Sequence, residues 1–258
     1  KMTFKAKFTR VSKFKNIIES IKDLLTDINI YVTNDGFRIS AMDSCHVSII
    51  KCIIDSTMFE EFHCEKDSCI GLSIQNLYKI LKCMDNNDSL TLQSTETHLV
   101  ISTQAFSTEL HSKSRHSEFE LNLFDLDTED LEIPDDIQYD VNIKMFSHEL
   151  AKTITTLATV GDICNINCNS EGVLLKANGD IGNANIKLEP NEQCLISVSN
   201  DINESYTLKY LLMFTKASML DSEVIINIAE GMPLQMRYSL DDDNKSFIDY
   251  FLAPKIED

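Results

Sequence analysis

The sequence has no apolar run near the 18 or so residues that a bilayer-spanning helix needs, and its opening, Lys1-Met2-Thr3-Phe4-Lys5, holds no apolar leader segment. Both absences predict a soluble, intracellular protein without membrane contact. Glycine and proline are scarce, at 7 and 4 of 258 residues, and no tract is compositionally biased, which excludes disordered and linker-rich classes. The eight cysteines, Cys45, Cys52, Cys64, Cys69, Cys83, Cys164, Cys168 and Cys194, contain no Cys-x-x-Cys pair. In 162–169, Cys164, Ile166 and Cys168 alternate with asparagines, so the cysteines read as core thiols of a reducing compartment rather than zinc ligands. A glycine-rich phosphate loop and a His-Glu-x-x-His motif are missing too. The acidic runs Asp135-Asp136 and Asp241-Asp242-Asp243 diverge along a turn instead of converging on a cation. Neither catalysis nor a metal or other cofactor is expected.

Positive charge is also short. Lys and Arg number 23 against 41 Asp and Glu, a net charge of −18, which excludes a protein that coats itself in nucleic acid. Any DNA contact must come from cations gathered on one surface.

What the sequence does hold is a full core, with 43% hydrophobic residues, and a repeat. Asp35-Gly36-Phe37-Arg38-Ile39-Ser40-Ala41 is echoed 136 residues later by Glu171-Gly172-Val173-Leu174-Leu175-Lys176-Ala177, each a turn glycine entering a strand. At the same offset the helical stripe Phe14, Ile17, Ile18, Ile21, Leu24 falls on Leu150, Thr153, Ile154, Leu157, Val160. Ser12 and Ser147 stand as N-caps of these helices. Second helical segments follow at 73–84 and 208–218, with short alternating strands such as 90–92, 99–101 and 224–228 between. These patterns predict an α+β protein of two similar domains, 1–120 and 141–258, joined by an extended connector over 121–140.

All four helical segments carry lysine off the apolar stripe. Lys15 and Lys22, seven apart, lie within about 20° of each other on a helical wheel, and Lys209 and Lys216 repeat that spacing. Lys79 and Lys82 are one turn apart, Lys152 is on the third helix and Lys13 at the start of the first. Eight of the 23 basic residues thus sit on these segments. Lysines on regular helices, without an arginine-rich reading helix, suit phosphate contact without base readout.

Residues 40–48 (Ser-Ala-Met-Asp-Ser-Cys-His-Val-Ser), 79–83 (Lys-Ile-Leu-Lys-Cys), 131–134 (Leu-Glu-Ile-Pro), 179–188, 214–217 (Phe-Thr-Lys-Ala) and the closing Leu252-Ala253-Pro254-Lys255-Ile256-Glu257-Asp258 together resemble the proliferating cell nuclear antigen family of DNA sliding clamps, essentially end to end. The resemblance implies a head-to-tail homotrimer with helices lining the hole and sheets outside. It implies interface positions at Phe119, Leu157, Val160, Ile181 and Ala184, with edge strands near Phe119 and 181–188 pairing between subunits. It further implies a client pocket made by Met42, His46, Val47, Ile49, Leu131, Ile133, Pro134, Pro233, Phe251, Ala253, Pro254 and Ile256. That pocket would take peptides with a glutamine, a spaced aliphatic residue and two aromatics, carried by DNA polymerase, clamp loader, flap endonuclease and DNA ligase. The implied location is the nucleus or a viral replication site. A subunit of a heterotrimeric checkpoint clamp is the alternative. Thr155 and Asn16 replace basic residues of the family pattern, Ser170 stands at its modified lysine, which removes that switch unless Lys176 substitutes, and Phe251 replaces a tyrosine.

Overall fold

A computed structural model describes residues 3–95, 97–105, 116–127, 131 and 137–255. They divide into two compact units. The first draws on residues up to 41, 51–131 and 241–246, and the second on 42–50, 132–240 and 247 onward.

In the first unit the chain order is β1 (Phe4–Phe8), α1 (Val11–Ile21), β2 (Asp27–Thr33), β3 (Gly36–Met42), β4 (Ser48–Asp55), β5 (Glu61–Cys64), β6 (Ser68–Ser73), α2 (Ile74–Lys82), β7 (Ser89–Ser94), β8 (His98–Gln104) and β9 (His116–Asn122). Strands in the order β5-β1-β7-β8-β9 form an antiparallel sheet, and β4-β3-β2-β6 are neighbours in a second layer. The second unit runs β10 (Val141–Phe146), α3 (Ser147–Ala158), β11 (Ile163–Asn169), β12 (Gly172–Gly179), β13 (Gly182–Leu188), β14 (Cys194–Val198), β15 (Ile202–Thr207), α4 (Leu208–Phe214), β16 (Glu223–Ile228), β17 (Leu234–Ser239) and β18 (Phe247–Leu252). Its strand orders are β14-β10-β16-β17-β18 and β13-β12-β11-β15. Matched in chain order, the second unit repeats the first strand for strand. No helix among the described residues is long and apolar enough to cross a membrane.

The repeat extends to backbone detail. Gly36 and Gly172 open β3 and β12 with φ of 128° and 133°, in the region that favours glycine. A Cβ at Gly36 would meet the carbonyl oxygen of Ile54 at 2.0 Å, and one at Gly172 that of Leu188 at 2.5 Å. Helix entries match as well: Val11 N–H donates to Asp88 O (2.8 Å) and Ser147 N–H to Ser222 O (2.9 Å), while Ile74 N–H donates to Thr26 O and Leu208 N–H to Asp162 O. These tertiary carbonyls do the work expected of side-chain caps. Ser12 therefore lies inside α1, one residue past its start, and Ser147 is the first residue of α3, with its hydroxyl donating to Asp221 O rather than capping.

Val11, Phe14, Ile17, Ile18 and Ile21 bury one face of α1 completely, each worth roughly 1.5–3 kcal/mol of transfer free energy. On α3 the stripe is narrower, with Leu150, Ile154 and Leu157 buried and Thr153 and Val160 only half-buried. Cys164, Ile166 and Cys168 face the core as their alternation predicts, but Cys45, Cys69 and Cys83 are exposed and are not core thiols. β9 runs to Asn122, so the first two residues of the expected connector are strand. Beyond it Phe124 N–H donates to Gly71 O, and the Phe124 carbonyl lies where a side chain at position 71 would be, at 2.2 Å from a Cβ there.

Candidate functional site

The helices and the 3₁₀ turn Thr215–Met219 that follows α4 hold seven lysines, Lys13, Lys15, Lys79, Lys82, Lys152, Lys209 and Lys216, against two carboxylates, Glu19 and Glu149. In a chain of net charge −18 that is a reversal of sign. Lys22 caps the C-terminus of α1. Lys216 lies on the 3₁₀ turn and not on the α-helix, so it advances by about 120° per residue and does not repeat the Lys15–Lys22 geometry.

The eight candidate lysines are not equivalent. Lys22 Nζ is 3.0 Å from Asp23 Oδ1 and 5.0 Å above the Tyr78 ring, with its side chain 20% exposed. Lys15 Nζ donates to Asn86 Oδ1 at 2.8 Å. Tyr78 in turn donates its phenol to Glu19 Oε1 (2.8 Å), and Gln75 Nε2 to Lys22 O (2.6 Å), which ties α2 to α1 on the polar side. Burial, then the Glu19 bond, raises the Tyr78 pKa, so the phenol stays a donor at neutral pH. Lys13, Lys79, Lys82, Lys152 and Lys209 are exposed and have no carboxylate partner among the described residues. Thr155, where a second cation is missing, donates its hydroxyl to Ala151 O at 2.7 Å, and Asn16 is half-buried.

A second surface is built wholly within the second unit. The loop after β3 folds over Asp43, leaving Met42 and Ile49 half-buried and His46 and Val47 exposed. His46 Nδ1 is 3.1 Å from Met42 Sδ. Val47 O accepts from Ala253 N–H at 3.0 Å, and Lys255 N–H donates to Ser205 O at 2.7 Å, so the segment after β18 is stitched to both. Leu234 pairs with Leu252, which sets Pro233 beside Ala253. Ala253, Pro254 and Lys255 also wall a cleft of about 550 Å³ with Asn203, Glu204, Ser205 and Gly231. Phe251 is only 6% exposed and is not among the residues that wall this cleft. Leu131, a half-buried residue, belongs to the first unit and is not part of this surface. Ile133, Pro134 and Ile256 lie outside the described residues.

Two family domains match the chain, the N-terminal domain of proliferating cell nuclear antigen over residues 3–130 and its C-terminal domain over 132–255. The chain belongs to the proliferating cell nuclear antigen family. It is also similar to the proliferating cell nuclear antigen of Dictyostelium discoideum, 36% identical over 262 aligned residues that cover 98% of this chain and 100% of that protein. Membership makes it a DNA sliding clamp, a replication and repair processivity factor of a non-catalytic family. The acidic run at 241–243 has a structural task in this clamp: Asp241 accepts from Lys245 N–H (3.0 Å) and Ser246 N–H (2.7 Å), closing the turn before β18.

Of the interface candidates, Phe119 is half-buried on β9 and Ala184 half-buried on β13, both strands at the end of their sheet. Ile181 is 78% exposed in the β12–β13 turn. Val160 is half-buried, its carbonyl pressed against Gly179. Leu157 is 0% exposed and is withdrawn, since a side chain sealed in the core of its own unit has no surface to offer another subunit. Ser170 is exposed in the β11–β12 turn, and Lys176 is half-buried on β12.

Asp43 is the residue that sequence reading missed. It is 4% exposed yet accepts five hydrogen bonds. The only sequence signal was an acid followed by Ser44 and Cys45, with Ser48 closing the break between strands, a pattern shared by many turns.

Proposed function

We propose that three copies of this chain close head to tail around duplex DNA, with the helices toward the phosphates, and that clients dock on the Val47–Ala253 surface. The observation that carries this reading is the segregation of charge, seven lysines to two carboxylates on the helices of a strongly acidic chain. An acidic exterior repels DNA everywhere except along the helices, and loose lysine contacts permit sliding because they read no base. β9 and β13, each seven residues long and each at a sheet end, supply self-compatible edges for the ring. Such edges also favour a homotrimer over a subunit that works only in a mixed checkpoint clamp.

The client surface suits a basic peptide with an aliphatic and aromatic anchor, since half-exposed Met42, Ile49 and Pro233 flank Val47 and Glu204 lines the adjoining cleft. Polymerase, clamp loader, flap endonuclease and ligase peptides of that pattern are the expected occupants, and the nucleus or a viral replication site the expected location. Light scattering coupled to gel filtration tests the ring: a trimer mass is expected, and a monomer at micromolar concentration sinks it. Titration calorimetry with a glutamine-aliphatic-aromatic-aromatic peptide tests the pocket, with binding abolished in Ile133→Ser while the mass is kept. An unchanged affinity in that variant removes the connector from the pocket.

A further inference from the structure

Both carboxylate oxygens of Asp43 are committed. Oδ1 accepts from the backbone N–H of Val47 (3.0 Å), the N–H of Ser48 (2.6 Å) and the hydroxyl of Ser48 (3.1 Å). Oδ2 accepts from the N–H of Cys45 (2.9 Å) and from the phenol of Tyr210 on α4 (2.9 Å). The loop they close holds His46 at φ 58°, a left-handed conformation that a non-glycine residue keeps only when its surroundings impose it. Here the imposing bonds are those to Asp43 on either side of it. The same loop presents Val47, whose carbonyl fixes Ala253. Two walls of the docking surface therefore hang on one carboxylate and one phenol.

We infer that Asp43 is a positioning residue for client binding and that Tyr210 is its strut, resting on the reading of this surface as the client pocket. Neither side chain need touch the peptide: Asp43 is buried, and its effect passes through the backbone of Cys45, Val47 and Ser48. Burial by itself would raise the Asp43 pKa, but the bonds from Ser48, Cys45, Tyr210 and Val47 outweigh it and hold the carboxyl below its usual range, so the acceptor stays ionised through neutral pH. Burial, and then contact with Cys45 and Asp43, raises the Tyr210 phenol, which therefore remains a donor.

Asp43→Asn keeps the shape but turns an NH₂ group toward donors in either orientation, so at least two acceptances are lost. Tyr210→Phe removes the strut alone. Hydrogen bonds to a charged group set the scale, and peptide affinity is expected to fall roughly 10- to 100-fold in Asp43→Asn and about 3- to 10-fold in Tyr210→Phe. The experiment is calorimetry on the full chain with the glutamine-aliphatic-aromatic-aromatic peptide, well below the melting temperature, with hydrogen exchange in parallel. Faster exchange confined to Cys45, Val47 and Ser48, with unchanged oligomer mass, is the expected signature. A role limited to stability would lower the melting temperature and leave affinity and local exchange alone, which overturns the inference. Wild-type protein that fails to bind the peptide overturns the pocket reading and this inference with it, whereas tight wild-type binding with unchanged constants in both variants overturns this inference alone. If Asp43→Asn does not fold, Tyr210→Phe decides by the same readouts.

Discussion

Replacing Lys79, Lys82, Lys152 and Lys209 together by alanine separates lysines that are free from lysines already engaged. These four are exposed and unpaired among the described residues, whereas Lys22 faces Asp23 at 3.0 Å and Lys15 holds Asn86 at 2.8 Å. Each lysine that neutralises a phosphate adds about 0.9 to the slope of log affinity against log salt, so losing four on the subunit facing the duplex lowers the slope by about 3.6. Between 50 and 200 mM salt those contacts would weaken wild-type binding about 150-fold, and the quadruple variant would lose that dependence. The double variant Lys15→Ala/Lys22→Ala should change the slope by less than about 1, because Lys22 is largely neutralised by its own neighbour. Fluorescence anisotropy of a short labelled duplex across a salt series reads both slopes, with light scattering as the control for assembly. A quadruple variant with the wild-type slope would refute the reasoning and reduce these lysines to solubilising residues. A larger loss in the double variant would move the contact to the α1 end.

Thiol chemistry should sort the cysteines: Cys45 and Cys83 alkylate fast, Cys69, though exposed, more slowly because partial desolvation raises its pKa, and Cys164 and Cys168, pushed up to about 12 by burial, stay neutral and unreactive through pH 9 until the chain unfolds. Mass spectrometry of alkylated peptides checks the order, and early labelling of Cys168 would contradict the β11 packing. Arg237 grips Asp249 in two bonds of 2.7 and 2.6 Å and stacks 4.1 Å over Phe247, with Asp249 only 1% exposed. Arg237→Met strands that buried carboxylate and should cost about 2–4 kcal/mol, discounted for the 40% exposure of the arginine side chain. Chemical denaturation measures it, and Arg237→Met/Asp249→Leu should recover most of the loss. Gly36→Ala should destabilise by several kcal/mol through its clash with Ile54 O, while Gly182→Ala, with open space around it, costs only the strain of its φ of 142°.

The duplicated architecture was legible because it rests on periodicities that burial enforces. A 136-residue offset between turn glycines and between helical stripes returned as matched strands, matched helix entries and matched positive φ. Lysine placement on the helices was legible for the same reason, since an apolar face defines its opposite. What stayed hidden depends on contacts distant in sequence. The N-caps failed because carbonyls of Asp88 and Ser222, more than 70 residues away from the helix starts they serve, replace side-chain oxygens. Leu157 had two readings, core from its place on the helical stripe and interface from the family resemblance, and its complete burial bears out the stripe. Asp43 was invisible because one of its partners, Tyr210, is 167 residues away.

The two compact units do not correspond to two uninterrupted lengths of chain. Residues 42–50 pack with the second unit and 241–246 with the first, and within the first unit the Asp55 N–H donates to the buried hydroxyl of Ser246 at 2.9 Å. A protein cut once after residue 131 would therefore not yield two self-sufficient modules, because the N-terminal fragment lacks the acceptor for Asp55 and the C-terminal fragment lacks the loop that carries Val47. Splitting, permuting or transplanting one half of this clamp requires moving those two short segments with it. Duplicated folds are often treated as interchangeable building blocks, and this exchange of segments makes the halves inseparable by a single cleavage despite their common plan.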